Sequence, residues 1–344
     1  MTAAQVQNTL HAELTRLVNG GAASRPGTLL ALALPALQRR RAAATLARRF
    51  AAWSAAPAVA TVGSVRVVVR PCESQHAAVR AMTAALAPLT GLLHSAYVHG
   101  SLGSEEEEVA YSDFDALVIL RDATVRDPAR LAAAAAALTA TRRIMQAYDP
   151  LQHHGWFVLT ESDLRCYCQA YFPHQLFEYA RVMVPAGAVT LDLQLRDSAA
   201  EYRAAFAGLA GLLRRQFAGR PPGNLYELKD VLSRMLVLPA RYLQARDGTA
   251  VYKKWSFDLA AADFPGDAWA VMEEIQALRR DWQLPLRGWQ RRLLGQVVAR
   301  RRLVLPLAAP RIPAELAARL GPSLWQRADR LVGQMQARVA AAGR

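Results

Sequence analysis

Two aspartates separated by one residue, Asp113 and Asp115, stand at the head of an apolar run, Ala116 to Leu120. Upstream, the apolar residues Ala96, Tyr97 and Val98 lead into Gly100-Ser101. Both apolar runs read as strands, with a polar insert between them. Alternate residues of a strand share a face, so Asp113 and Asp115 project together while Phe114 turns into the core. Paired carboxylates on one face suit one or two Mg²⁺ ions, which want oxygen ligands and a bound phosphate. Gly100 lets backbone amides approach a phosphate closely, and the Ser101 hydroxyl can donate to a phosphate oxygen. Ser112 opens the aspartate segment and joins the same nucleotide-side set. The plain alternative is a pair of solvated aspartates capping a strand.

This GS…SDFD arrangement over Tyr97–Leu120 resembles the nucleotidyltransferases of the DNA polymerase β type. Their signature is a hydrophobic residue with Gly-Ser, about ten residues, then two aspartates alternating with hydrophobic residues. The resemblance implies Asp113 and Asp115 as ligands of Mg²⁺, an NTP as substrate, and its triphosphate at Gly100-Ser101. It also implies a third carboxylate on a later strand. Two candidates offer themselves: Asp192, within the alternating Val189–Leu195, and the pair His153/His154, with His154 as a neutral base. Asp149 ends a helix and reads as a cap.

The elements that must position these groups follow from pattern. Residues 1–60 read as a helical segment, with helices over Ala3–Leu17 and Leu29–Trp53. Val62–Val69 is a β-branched strand, and Glu73–Leu89 a helix. Asp127-Pro128 opens a helix to Tyr148, and Gln152–Thr160 reads as a strand. Ser162–Tyr171 and Pro173–Met183 read as helices, and Val189–Leu195 as a strand. From Ser198 the pattern is helical, with Asn224 capping a long helix whose Pro239 predicts a kink. The expected architecture is α+β. A small mixed nucleotidyltransferase-type sheet flanked by helices occupies 61–197, and an all-helical domain occupies 198–344.

Charge and composition narrow the partners. The chain of 344 residues carries a net charge of +14. Nearly all of it falls after residue 200, which favours anionic partners such as an NTP or RNA. Of 42 basic residues only Lys229, Lys253 and Lys254 are lysines. In an Arg- and Ala-rich composition such lysines stand out as point-charge ligands for the triphosphate, against the alternative of three surface lysines. Glu105–Glu108 form either a solvated loop or an acidic lip for a cationic acceptor such as an aminoglycoside. The acceptor is expected to be such a small molecule, with RNA or a protein as alternatives and a catalytically weak nucleotide-binding module as the rival reading. Cys72, Cys166 and Cys168 form no disulfide framework and lack zinc-site spacing. The sequence offers no apolar span and no signal-peptide core, so the expectation is a cytoplasmic protein without a membrane partner.

Overall fold

Why the site has an address becomes clear from the order of the strands. The computed structural model describes residues 3–20, 35–56, 59–104, 111–296, 304–305 and 308–343. Two helices, α1 (Ala3–Val18) and α2 (Pro35–Ser54), precede β1 (Thr61–Pro71) and α3 (Ala77–Leu86). Then come β2 (Leu93–Val98), α4 (Gly100–Ser104), β3 (Ala116–Leu120), α5 (Asp122–Arg126) and α6 (Pro128–Tyr148). The sheet half closes with β4 (Phe157–Thr160), α7 (Glu161–Leu164), α8 (Leu176–Tyr179), β5 (Arg181–Val184) and β6 (Val189–Arg196). One six-stranded mixed sheet results, in the order β4-β3-β2-β5-β1-β6. β2 and β3 are antiparallel, whereas β3 and β4 are parallel. The exit of β2 and the entries of β3, β4 and β5 therefore share one edge of the sheet.

Both faces of the centre are buried, which is why β3 reads as an unbroken apolar run. Val118 and Leu120 face a helical layer that includes Leu14, Phe50, Met82 and Leu138. Leu117 and Ile119 face a thinner layer built from Leu164, Tyr167, Leu176 and Phe177. The first two helices thus pack into the core of the sheet half.

The remaining chain is helical: α9 (Ala199–Ala218), α10 (Leu225–Asp247), α11 (Lys253–Ala261), α12 (Asp267–Arg280), α13 (Gly288–Gln296), α14 (Ala314–Arg319) and α15 (Pro322–Ala342). Asn224 caps α10 as expected, accepting from the Glu227 amide at 2.9 Å, and α10 continues through Pro239. Its own core takes in Leu228, Leu232, Ile275 and Met335, together with Tyr111 and Leu151 from the sheet half. Those two visitors lie two residues before Asp113 and His153, so the interface between the halves is built beside the site. No helix among the described residues is long and apolar enough to cross a membrane.

Three expectations change. Pro173–Met183 is not one helix: only Leu176–Tyr179 is helical, and Arg181–Val184 forms β5. Wedged between β2 and β1, that segment gains ladder bonds on both sides, and this tertiary context overrides its local helical pattern. The helix expected over Ser162–Tyr171 shortens to Glu161–Leu164. The strand expected over Gln152–Thr160 pairs only from Phe157, leaving His153 and His154 outside the ladder. Glu105–Glu108, the start of the Leu29–Trp53 helix and residues 297–303 lie outside the described residues.

Asp163 ties α1 to the sheet. It closes a capping box with Thr160, accepts from Gln7 at 2.8 Å, and lies 2.7 Å from His11. Burial alone would raise its pKa, but His11 and the donors around it hold it below the ordinary value. A depressed folded-state pKa contributes stability above the unfolded value of about 4 that is lost as pH falls through the folded one. Asp163→Asn is expected to cost about 3 kcal/mol at pH 7. In urea titrations the gap from wild type should close as pH is lowered towards 3.

Candidate active site

The peptide between the two aspartates fixes their direction. Phe114 is fully buried, its ring edge-on to Tyr148 at 5.9 Å. The Gln152 side chain completes the ladder there. Its Oε1 accepts from the Phe114 amide at 3.0 Å and its Nε2 donates to the Phe114 carbonyl at 2.9 Å. An amide side chain thus stands in for the missing strand partner, and Asp113 and Asp115 emerge on the opposite side, as the alternation predicts. A second amide, Asn19, brackets the neighbouring segment. It donates to the Trp156 carbonyl and accepts from the Trp156 amide, both at 2.8 Å. His153 and His154 are held between these two clamps.

Gly100 faces them from the end of β2. The His99 amide donates to the Asp115 carbonyl at 3.0 Å. Gly100 adopts φ +65°, and a Cβ there would collide with the Asp115 carboxylate. Only glycine meets both demands. Gly100→Ala is expected to cost about 1–2 kcal/mol from backbone strain, and to displace Asp115; calorimetric Mn²⁺ titration should show weakened binding alongside the lowered melting point.

The carboxylates converge on one atom. His154 Nε2 lies 3.2 Å from Asp113 Oδ2 and 3.1 Å from Asp115 Oδ1. Burial opposes charge on this imidazole, but the two carboxylates prevail and raise its pKa to about 10, so His154 is a cation here and not the neutral base expected of it. His153 Nδ1 is 3.9 Å from Asp113 Oδ2 and has no hydrogen-bond partner. Burial keeps His153 neutral, its pKa falling to about 4. His99 is likewise lowered to about 4 by burial, and its Nε2 is unpartnered.

The other oxygen of Asp113 is taken from the helical half. Lys229 on α10 is fully buried, with Nζ 2.7 Å from Asp113 Oδ1 and 2.7 Å from Asp149 Oδ2. Against the cost of burial, Asp149 and Asp113 keep it charged. Lys229, and then His154, hold Asp113 well below the ordinary range although burial pushes it up. Asp149 responds the other way. Burial and the nearby Asp113 charge outweigh Lys229 and raise it to about 7. Asp115, opposed by burial, is lowered chiefly through its bond to His154.

The remaining candidates sort by position. Lys229 binds the acids, so its charge is already consumed and it is not an open phosphate ligand. Desolvation, helped by the Arg279 charge, lowers the pKa of Lys253 on α11 against the opposing pull of Asp115 and Asp113. Lys254 lies over the Tyr179 ring at 5.2 Å. Ser101 is half-buried at the start of α4, and Ser112 is buried. Asp192 is elsewhere: it sits on the edge strand β6, four strands from β3, bonded to Arg66 at 2.6 Å. Its hydrophobic-Asp-hydrophobic setting is the outward face of an edge strand. The site roles of two charged groups were not read from the sequence. Asp149 read as a helix cap, and Arg279 is one arginine among many. The Arg279 guanidinium lies 5.6 Å from the Tyr111 ring, its Nε buried without a partner.

By fold, this is an α+β protein with a mixed six-stranded sheet, helices against it, and a helical C-terminal half. No family model, no curated protein and no solved structure matches the chain. Function therefore has to be argued from the site itself.

Proposed function

We propose that the protein is a divalent-cation-dependent nucleotidyltransferase, moving a nucleoside monophosphate from an NTP to an acceptor hydroxyl with release of pyrophosphate. One observation carries this reading. Asp113 and Asp115 converge within 3.2 Å of a single point, occupied by a cationic imidazole nitrogen, beside the tight Gly100-Ser101 turn. A location that holds one positive charge between two carboxylates is suited to another.

The residues present fit a divalent ion. Asp113 Oδ2 and Asp115 Oδ1 would hold it, and His154 would become a nitrogen donor by giving up its Nε2 proton and drawing back from the point it now occupies; Asp113, His153 and His154 also form a cluster of metal-ligand reach. Bound there, the ion supplies Lewis-acid charge at the α-phosphate. Gly100 and Ser101 receive phosphate oxygens through backbone and hydroxyl donors. Lys253 and Arg279 offset the triphosphate charge from the helical half. The acceptor oxygen attacks the α-phosphorus in line as the bond to pyrophosphate breaks. Neutral His153 orients the acceptor hydroxyl and takes the proton that leaves its oxygen as the new bond to phosphorus forms. Lys229 anchors Asp113 and fixes its free oxygen.

The nitrogen donors bear on which ion is preferred. Mg²⁺ favours oxygen ligands throughout, whereas imidazole suits softer divalent ions. The wild-type protein should bind Mn²⁺ at least about tenfold more tightly than Mg²⁺ by calorimetry, and His154→Ala should erase that ratio. Equal preference before and after the substitution would remove His154 from the ligand set.

A second reading has one observation in its favour: Lys229 and His154 already neutralise both aspartates. A nucleotide-binding module without turnover would bind NTP yet release no pyrophosphate across a broad acceptor panel. Labelled ATP, GTP, CTP and UTP, each with small-molecule, RNA and protein acceptors, separate the two.

A further inference from the structure

We infer that the groove along β1, on the site edge of the sheet, binds a single-stranded polynucleotide through its phosphate backbone, with bases stacked on an aromatic step at its entrance. As an acceptor surface this rests on the transferase reading; as a binding surface it does not.

The groove has a definite origin. β5 begins at Arg181, level with Arg70 of β1 and with Val98 at the exit of β2. β1 is parallel to β5, so Thr61–Val69 run past the site edge of the sheet, paired only with β6. The projecting ribbon extends roughly 25 Å. One of its faces packs inward through Val65, Val67 and Val69. The other is open: Val68 is 59% exposed and Arg66 and Arg70 are exposed. Arg181, the register partner of Arg70, adds a third guanidinium to that face. Together with Tyr179 and Glu178 these arginines line a groove of about 450 Å³. The Asp192 carboxylate engages Arg66 and Glu178 lines the same groove, so three arginines face two acids and one cation is in excess.

Tyr179 joins the groove to the site. Its carbonyl lies against Gly103 of α4, the helix that begins at Gly100. Its ring stacks on Tyr252 at 5.0 Å and 7°. Trp255 stands edge-on to both rings and is 39% exposed. Tyr252 and Lys254 cover Tyr179, and Trp255 is the most exposed of the three rings, the one that offers a surface to a base. Arginines spaced along an open strand and aromatic rings at one end are the two components by which proteins hold single strands. The same cations repel a polycationic acceptor such as an aminoglycoside.

The test uses the full-length protein and a fluorescein-labelled oligouridylate of about 12 nucleotides, read by anisotropy. Binding should weaken between about 50 and 200 mM salt. The double variant Arg70→Glu/Arg181→Glu should lose at least about tenfold in affinity and reduce the salt slope by about 1.4, the share of two phosphates on a single strand. Trp255→Ala should lose at least about fivefold. Calorimetry of Mn²⁺ and NTP on the double variant should match wild type, and its melting point should be unchanged. Wild-type oligonucleotide affinity in the double variant overturns the proposal, as does equal competition by polyglutamate, which would assign the surface to an acidic protein. Oligonucleotide binding by a wild-type protein that takes up neither Mn²⁺ nor NTP upholds the groove and ends the transferase reading.

Discussion

Asp115→Asn is expected to reduce Mn²⁺-dependent pyrophosphate release by about a thousandfold or more, with the melting point little changed. The size follows from what the carboxylate does. Cation-assisted charge stabilisation is worth several kcal/mol in the transition state, and each 1.36 kcal/mol is tenfold in rate. Asparagine keeps the shape, so the packing against Gly100 survives. It removes one of the two charges that face His154 Nε2. Stability survives because Asp115 does not touch Lys229: the buried Lys229–Asp113–Asp149 group stays intact. Continuous pyrophosphate detection gives the rate, and thermal unfolding gives the control. A variant with unchanged turnover would take Asp115 out of the chemistry.

Lys229→Met should do the converse, unfolding the site from beneath. This lysine is the sole cation within bonding distance of Asp149 among the described residues, and it is fully buried. Removing it leaves Asp113 and Asp149 facing each other in a place water does not reach. Breaking a buried ion pair from one side costs about 3–5 kcal/mol. Urea denaturation should register that loss. Part of it should return in Lys229→Met/Asp149→Asn, which removes one of the stranded charges; the recovered fraction measures the coupling. If the single substitution is neutral, the helical half does not fix the aspartates in the way described.

What the sequence disclosed and what it withheld divide along a physical line. Asp113, Phe114 and Asp115 were legible because strand alternation is local, and Gly100 because close approach by a neighbour leaves room for no other residue. Asn224 was legible as a cap for the same local reason. Asp149 was not. It ends a helix, where a polar residue is ordinary, and its pairing with Lys229 spans 80 residues. Lys229 drew notice through the rarity of lysine, but its role reversed. It holds the acids, and the phosphate role proposed above passes to Lys253 and Arg279. Asp192 misled because a lone acid on an amphipathic strand looks the same whether it faces a site or solvent. Strand order decides that, and strand order is non-local. Arg181–Val184 was lost for a similar reason: four residues take their conformation from the two strands that flank them. His153 and His154 were expected at a strand start and instead precede β4, outside the ladder. Their convergence on the aspartates depends on Gln152 and Asn19, which no spacing rule singles out.

Anomalous diffraction at the manganese edge, from crystals grown with Mn²⁺ and a non-hydrolysable NTP, bears most directly on the central claim. The account predicts a peak between Asp113 Oδ2 and Asp115 Oδ1, with phosphate oxygens at Gly100-Ser101 and Lys253 beside them. A peak elsewhere, or a nucleotide bound away from the Gly-Ser turn, would contradict it.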